Sequence, residues 1–126
     1  MKNRKKSKTG GKAIAAAARP ALEFAGWVVI DFEHNDKMPT GAIGWPDLVA
    51  MRFSVIWLIE IKAPGDDLRP SQIRFFQKVY RHLGPTLRYM IAQTPEDIEQ
   101  IVTGSPAVIE IPEKFRKDLE VRNETE

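Results

Sequence analysis

The stretch GWPDLVAMRFSVIWLIEIKAPG, residues 44–65, decides the fold of this 126-residue chain. It contains two runs rich in β-branched, aromatic and other apolar residues, 47–52 and 55–62, that are separated by only two residues. Two such runs so close together predict a β-hairpin. The second run has the composition of a buried strand, yet it ends with two charged residues, Glu60 and Lys62.

The two charged residues should leave their strand on the same face, because side chains alternate across a strand. An unpaired charge is costly to bury. Three interpretations are therefore open: an ion pair at a solvated strand end, ordinary surface residues, or one half of a metal site. Asp47 offers the other half, because a hairpin centred near Phe53 and Ser54 places position 47 opposite position 60.

The residue types of this cluster point to phosphodiester chemistry. Two converging carboxylates, Asp47 and Glu60, suit a hard cation such as Mg²⁺, with Mn²⁺ as a substitute, and the backbone carbonyl of Ile61 is a further candidate ligand. The ammonium of Lys62 can orient a water molecule or stabilise charge on a phosphate oxygen. Together these groups predict metal-assisted phosphodiester hydrolysis.

The rest of the chain places the hairpin in an α/β fold. The pattern weakens after Gly104, and before it the order of elements is helix, three strands, helix, strand and helix. This order predicts a sandwich of helices around a small mixed β-sheet. The predicted ranges are helix 13–25, strand 27–32, a long loop 33–45, the hairpin, helix 70–83, strand 86–92, and a helix that begins after Thr94 as its cap.

Charge divides the chain into three parts. Residues 1–12 hold six Lys/Arg and no acidic residue, whereas residues 91–126 hold four basic and nine acidic residues. We predict a disordered basic arm (1–12), one domain (13–104) and an acidic C-terminal tail (105–126). The arm either contacts nucleic-acid phosphates or serves as a solubilising terminus.

Several protein classes are excluded by what the sequence lacks. The absence of cysteine excludes disulfides, zinc–thiolate sites and thiol nucleophiles. No apolar run approaches the length of a membrane span, and the short alanine-rich run after the basic start is not a secretory signal, so we expect a soluble, cytoplasmic protein. No glycine-rich phosphate loop occurs, which argues against nucleoside triphosphate chemistry.

The segments GWPDLVA, IEIKAP and LRPSQ, taken in order, resemble the PD-(D/E)xK nuclease superfamily and specifically its VRR-NUC (virus-type replication-repair nuclease) branch. The resemblance covers roughly residues 13–101. It implies a restriction-endonuclease-like α/β core, metal binding by Asp47 and Glu60, and a catalytic role for Lys62. It also implies a homodimer that acts on branched or flapped DNA.

Gln72 is a further candidate, because it falls within the apolar arc of the predicted helix 70–83. A polar group there must find a partner, and the neighbouring cluster of charges is one candidate. The resemblance assigns a glutamine at this position to the site. The alternative is a side chain that bonds only to the local backbone.

A basic stripe lies on the opposite face of the same helix. Arg74, Lys78 and Arg81 follow one another at spacings of four and three residues. They either hold DNA phosphates beside the site, without reading sequence, or form an ordinary solvated face.

The chain departs from the family pattern in its first helix. Family members often carry a glutamate there, but the aligned stretch KAIAAAARP has no carboxylate, and Glu23, about two turns later, is the only acid in the helix. Three alternatives are open for the metal site: Glu23 substitutes, two carboxylates suffice, or activity is weak. For the function, three hypotheses are considered: a Mg²⁺-dependent, structure-selective DNA endonuclease; a weak or inactive nuclease fold that binds DNA; or an unrelated α/β domain with a structural ion pair.

Overall fold

A computed structural model describes residues 2–32, 44–104 and 106–119, the first eight of them by their backbone alone; most of the predicted loop 33–45 lies outside these ranges. None of the described helices combines the length and apolar character that a membrane span requires. The described elements are α1 (Lys2–Phe24), β1 (Val28–Asp31), β2 (Leu48–Arg52), β3 (Val55–Ile61), α2 (Pro70–Val79), β4 (Leu87–Ala92), α3 (Pro95–Thr103), β5 (Ile109–Glu110) and α4 (Glu113–Leu119).

The strands form one mixed sheet in the order β1-β2-β3-β4-β5. β1, β2 and β3 are antiparallel neighbours, whereas β4 is parallel to both β3 and β5. The predicted hairpin is confirmed, with Arg52 paired to Val55 across a two-residue turn. Because parallel strands need a crossover, α2 runs back along the sheet between β3 and β4. The α/β fold with a small mixed sheet flanked by helices is confirmed.

The two faces of the sheet bury different cores. Ile59, at the centre of β3, belongs to a core with residues of α1 and α3. Its neighbour Leu58 belongs to the core on the other face, with residues of α2 and α4. This alternation puts Glu60 and Lys62 on the α2 face, as the sequence predicts.

Helix α1 begins at Lys2, whereas we expected a helix from Ala13 and a disordered arm before it. Lysine and arginine are good helix formers, and extending an existing helix costs little, so the alanine-rich segment can propagate through Gly10 and Gly11. Pro20 lies inside the helix without ending it.

Part of the predicted acidic tail belongs to the fold. β5 joins the edge of the sheet, and α4 buries Phe115 and Leu119 against the α2 face. A two-residue strand and a seven-residue helix are too short to give a periodic signal, so the sequence pattern did not reveal them.

Candidate active site

The carboxyl groups of Asp47 and Glu60 meet at one end of the hairpin. Asp47 directly precedes β2, and the register pairs Leu48 with Ile59, so positions 47 and 60 form the next pair along. The Oδ2 atom of Asp47 accepts a hydrogen bond of 2.9 Å from the backbone N–H of Ile61. The two carboxyl groups lie close enough to perturb each other's pKa.

Burial raises the pKa values of these two carboxyl groups. The side chain of Glu60 is 2% exposed, and burial together with the neighbouring Asp47 charge raises its pKa well above the usual range. Burial also raises the pKa of Asp47, against the opposing effect of the Ile61 N–H. The raised pKa favours the protonated form of Glu60, so a cation bound there would displace a proton.

Gln72 connects this pair to the start of α2. Its Nε2 atom donates a hydrogen bond of 2.8 Å to Glu60 Oε2, and its Oε1 atom accepts one of 2.8 Å from the Arg69 backbone N–H. The side chain is only 8% exposed. Both partners considered for Gln72, the charged cluster and the local backbone, are thus present in the structure. That Gln72 orients the site for catalysis stays a prediction.

Lys62 follows β3 and is 6% exposed. Its backbone N–H donates to the Ala92 carbonyl at 2.9 Å, which holds it at the end of the sheet. Its positive charge favours the ionised form of both Asp47 and Glu60. Within the described residues, however, no carboxylate oxygen lies within 4.0 Å of its ammonium. A direct structural ion pair, one of the three interpretations above, is not present there.

Arg69 is a charged neighbour that the sequence analysis did not identify. Arg69 is exposed and directly precedes α2. Its positive charge opposes the rise in pKa of both Asp47 and Glu60. Its backbone N–H holds Gln72, so its position is coupled to the pair. The sequence signal was weak, because a lone arginine before a helix-opening proline is common on protein surfaces.

The segment before Asp47 packs tightly against the start of α2. Gly44 has φ +92°, and a Cβ placed there would lie 2.4 Å from the Ser71 carbonyl oxygen. Two residues before Asp47, the Trp45 ring lies 5.6 Å from the Phe75 ring, centroid to centroid. Glycine is required at position 44 for both reasons, the left-handed conformation and the close approach. These contacts fix the position of Asp47 relative to α2.

Glu23 does not join the site. It is exposed and pairs with Arg19 at 2.9 Å. Gly10, much earlier in α1, lies close to the site end of β3: a Cβ there would come within 3.3 Å of the Ala63 Cβ. Glu23 lies thirteen residues further along the helix, roughly 20 Å away. Among the described residues, no group of three or more His, Cys, Asp or Glu side chains forms a metal-binding cluster.

The donor atoms at the site nevertheless suit a hard cation. Asp47 and Glu60 contribute carboxyl oxygens, and the charge of a divalent ion would relieve the repulsion between them. In an extended strand the N–H and C=O groups of one residue point to the same side, so the Ile61 carbonyl is directed toward Asp47, as its N–H is. The arrangement fits Mg²⁺ or Mn²⁺ with part of the shell left to water or substrate.

The basic stripe is exposed, as its pattern predicts. Arg74 and Lys78 lie on α2, and Arg81 lies on the short 3₁₀ helix, Tyr80–His82, that follows it. The stripe begins one turn from Arg69 and runs along α2 away from the carboxyl pair. That it contacts DNA stays a prediction.

Comparison with known proteins supports the family and the fold. The family model described as the VRR-NUC domain matches residues 15–109. A solved structure described as a VRR_NUC domain superimposes with a TM-score of 0.53 at 18% identity, and the match covers 75% of this chain and 95% of that one. At this identity the likeness concerns the fold alone. A search of curated proteins found no match.

Proposed function

We propose, since this chain belongs to the VRR-NUC domain family of nucleases, that it is a Mg²⁺-dependent endonuclease that hydrolyses phosphodiester bonds in branched or flapped DNA. The observation that carries the proposal is the pairing of the half-buried Asp47 with the buried Glu60, with the buried Lys62 on the same face of the sheet as Glu60. Burying Glu60 and Lys62 and half-burying Asp47 costs stability. Catalysis is a reason for the fold to bear that cost.

Each residue of the site has a distinct part in this proposal. Asp47 and Glu60, with the Ile61 carbonyl, hold the metal, and Gln72 fixes the Glu60 carboxylate through its hydrogen bond. A bound Mg²⁺ supplies a water of lowered pKa and positive charge for the phosphate. Lys62 orients the attacking water from its buried position at the end of β3.

Arg69 and the basic stripe supply the contacts to the DNA backbone. Arg69 is exposed, and its charge acts on both carboxyl groups, so its guanidinium can hold a non-bridging oxygen of the reacting phosphate. Arg74, Lys78 and Arg81 continue the positive charge along α2, so they can hold phosphates further along the same strand. Such contacts position the duplex without selecting its sequence.

A cleavage assay tests the proposal. The substrates are labelled duplex, single-stranded, flap and four-way-junction DNA, with a matching RNA set, each with Mg²⁺, Mn²⁺ or EDTA. We expect metal-dependent cutting of branched DNA that Lys62→Ala abolishes. Lys117→Ala, which removes an exposed lysine on α4, should cut like the wild type. Equal cutting by Lys62→Ala, or cutting in EDTA, would refute the assignment.

A second candidate function is DNA binding without cleavage. It is favoured by one observation: the described residues bring only two carboxyl groups together, and Glu23 lies far from them. In that case the chain would bind branched DNA with no metal-dependent turnover in the same assay.

The proposal includes a homodimer, because two sites related by a two-fold axis could address two strands of a branched substrate. Light scattering after size-exclusion chromatography measures the mass directly. A monomer that cuts both strands of a junction would contradict this part of the proposal.

A further inference from the structure

The tip of the β2–β3 hairpin carries an unusual residue. Phe53 has φ +55°, and no other described residue except glycine has a positive φ. Its side chain is 92% exposed. Two-residue hairpin turns normally use Asn, Asp or Gly at such positions, because a bulky side chain is strained in the left-handed region. Phe53 therefore gains no burial in return for its strain, which points to a role outside folding.

The neighbouring side chains form a stacked, positively charged group with Phe53. The Arg52 guanidinium lies 4.7 Å from the centre of the Phe53 ring. Gly26 lies beneath Arg52, and a Cβ there would come within 3.3 Å of Arg52 Nε. Phe24, two residues before Gly26, is 95% exposed. In the described parts of the chain, Arg52 has no carboxylate partner within 4.0 Å.

The position of this group relative to the carboxyl pair is set by β3. Phe53 precedes one end of the strand and Glu60 lies near the other, seven residues and roughly 23 Å apart. Helix α2 runs from the carboxyl pair back toward the hairpin end of the sheet, because β4 starts beside the start of β3. At a spacing of about 3.4 Å per nucleotide, the separation corresponds to about seven nucleotides.

We propose that the Arg52–Phe53 pair stacks on an unpaired nucleobase of branched DNA, about seven nucleotides from the cleaved phosphate; this rests on the nuclease function proposed above. An exposed aromatic ring beside a guanidinium is a stacking surface for bases. The charge of Arg52 complements the phosphate backbone. A second copy of the chain fits less well, because an isologous contact would bring one Arg52-containing patch against another.

The first test compares Phe53→Asn with Phe53→Trp by fluorescence anisotropy in EDTA. The probes are a forked DNA with unpaired arms and a fully paired duplex of equal length. Phe53→Asn should bind the fork about ten-fold more weakly and the duplex unchanged, since stacking on one base contributes that much affinity. Phe53→Trp should retain fork binding. Val102→Ser, which removes an exposed apolar side chain on α3, is the matched control.

The melting temperature separates this role from a structural one. Asparagine adopts a positive φ more readily than phenylalanine, so Phe53→Asn should leave Tm unchanged or raise it. A structural role for the ring predicts a lower Tm instead. The second test places 2-aminopurine at successive unpaired positions of the fork. Its fluorescence should be quenched at about seven nucleotides from the cleavage position, and Phe53→Asn should remove that quenching.

Three results would overturn the inference: equal weakening on fork and duplex, wild-type fork binding by Phe53→Asn, or conversion of a wild-type dimer to a monomer by Phe53→Asn. The last would identify a second copy as the occupant. Binding is measured in EDTA and therefore does not depend on cleavage. A wild type that binds the fork but does not cut it when Mg²⁺ or Mn²⁺ is added would refute only the nuclease function. If Phe53→Asn cuts branched DNA as well as the wild type does, that result would refute only the stacking contact.

Discussion

Replacing Glu60 by glutamine should abolish cleavage and at the same time stabilise the metal-free protein. Glu60→Gln keeps the shape of the side chain and an oxygen that can accept the Gln72 hydrogen bond. It removes the ionisable group whose pKa is raised by burial and by Asp47. The new amide can also donate a hydrogen bond to the Asp47 carboxylate.

The size of the effect follows from the charges at the site. If both groups were ionised, two carboxylates about 4 Å apart would repel each other by roughly 4 kcal/mol at an effective dielectric constant of 20, which is an upper bound because the raised pKa of Glu60 favours its protonated form. The charges of Lys62 and Arg69 offset part of that repulsion. We therefore expect the free energy of unfolding to rise by about 1–3 kcal/mol at neutral pH. For a domain of this size each kcal/mol raises Tm by about 4 °C.

The effect should depend on pH with a defined sign. The pKa of Glu60 is higher in the folded protein than in the unfolded chain, so the folded state binds more protons between these two values. The wild type therefore loses stability as pH rises through the folded pKa. Below about pH 4, where the unfolded chain is also protonated at this group, wild type and Glu60→Gln should converge.

Urea unfolding in EDTA, at several pH values between 4 and 8, measures this difference. The control is Glu23→Gln, which removes an exposed carboxylate paired with Arg19 and should change stability by less than about 0.5 kcal/mol. A Glu60→Gln protein that is less stable than the wild type at pH 7 would refute the reasoning. So would a difference that does not change with pH.

Three further outcomes are expected. Gly44→Ala should lower both kcat and thermal stability, because a Cβ there collides with the Ser71 backbone; unchanged kcat in the cleavage assay would contradict this. Phe115→Ala should cost about 3–4 kcal/mol in urea unfolding, because the ring is fully buried, and a loss below 1 kcal/mol would show that α4 is dispensable. Replacing the basic stripe with glutamine should reduce the slope of log affinity against log salt by up to about 3, and an unchanged slope would exclude phosphate contacts by Arg74, Lys78 and Arg81.

The sequence alone determined the hairpin and the composition of its charged end. The two-residue spacing between the strand patterns specifies the pairing, and alternation then places Glu60 opposite Asp47 and on the same face as Lys62. The position of Gln72 in an apolar helical arc likewise predicted its burial. These inferences succeeded because strand and helix periodicity are local properties, set by residues close together in the chain.

Only the tertiary structure decided the rest. The raised pKa values of the carboxyl pair depend on how deeply the surrounding elements bury it, which no local pattern reports. The coupling of Arg69 to the site and the close approach of Gly44 to Ser71 join segments that meet only after folding. The exclusion of Glu23 follows from the direction in which α1 crosses the sheet. Helix α4 is too short for periodicity to reveal, and it is stabilised by burying Phe115 against distant residues.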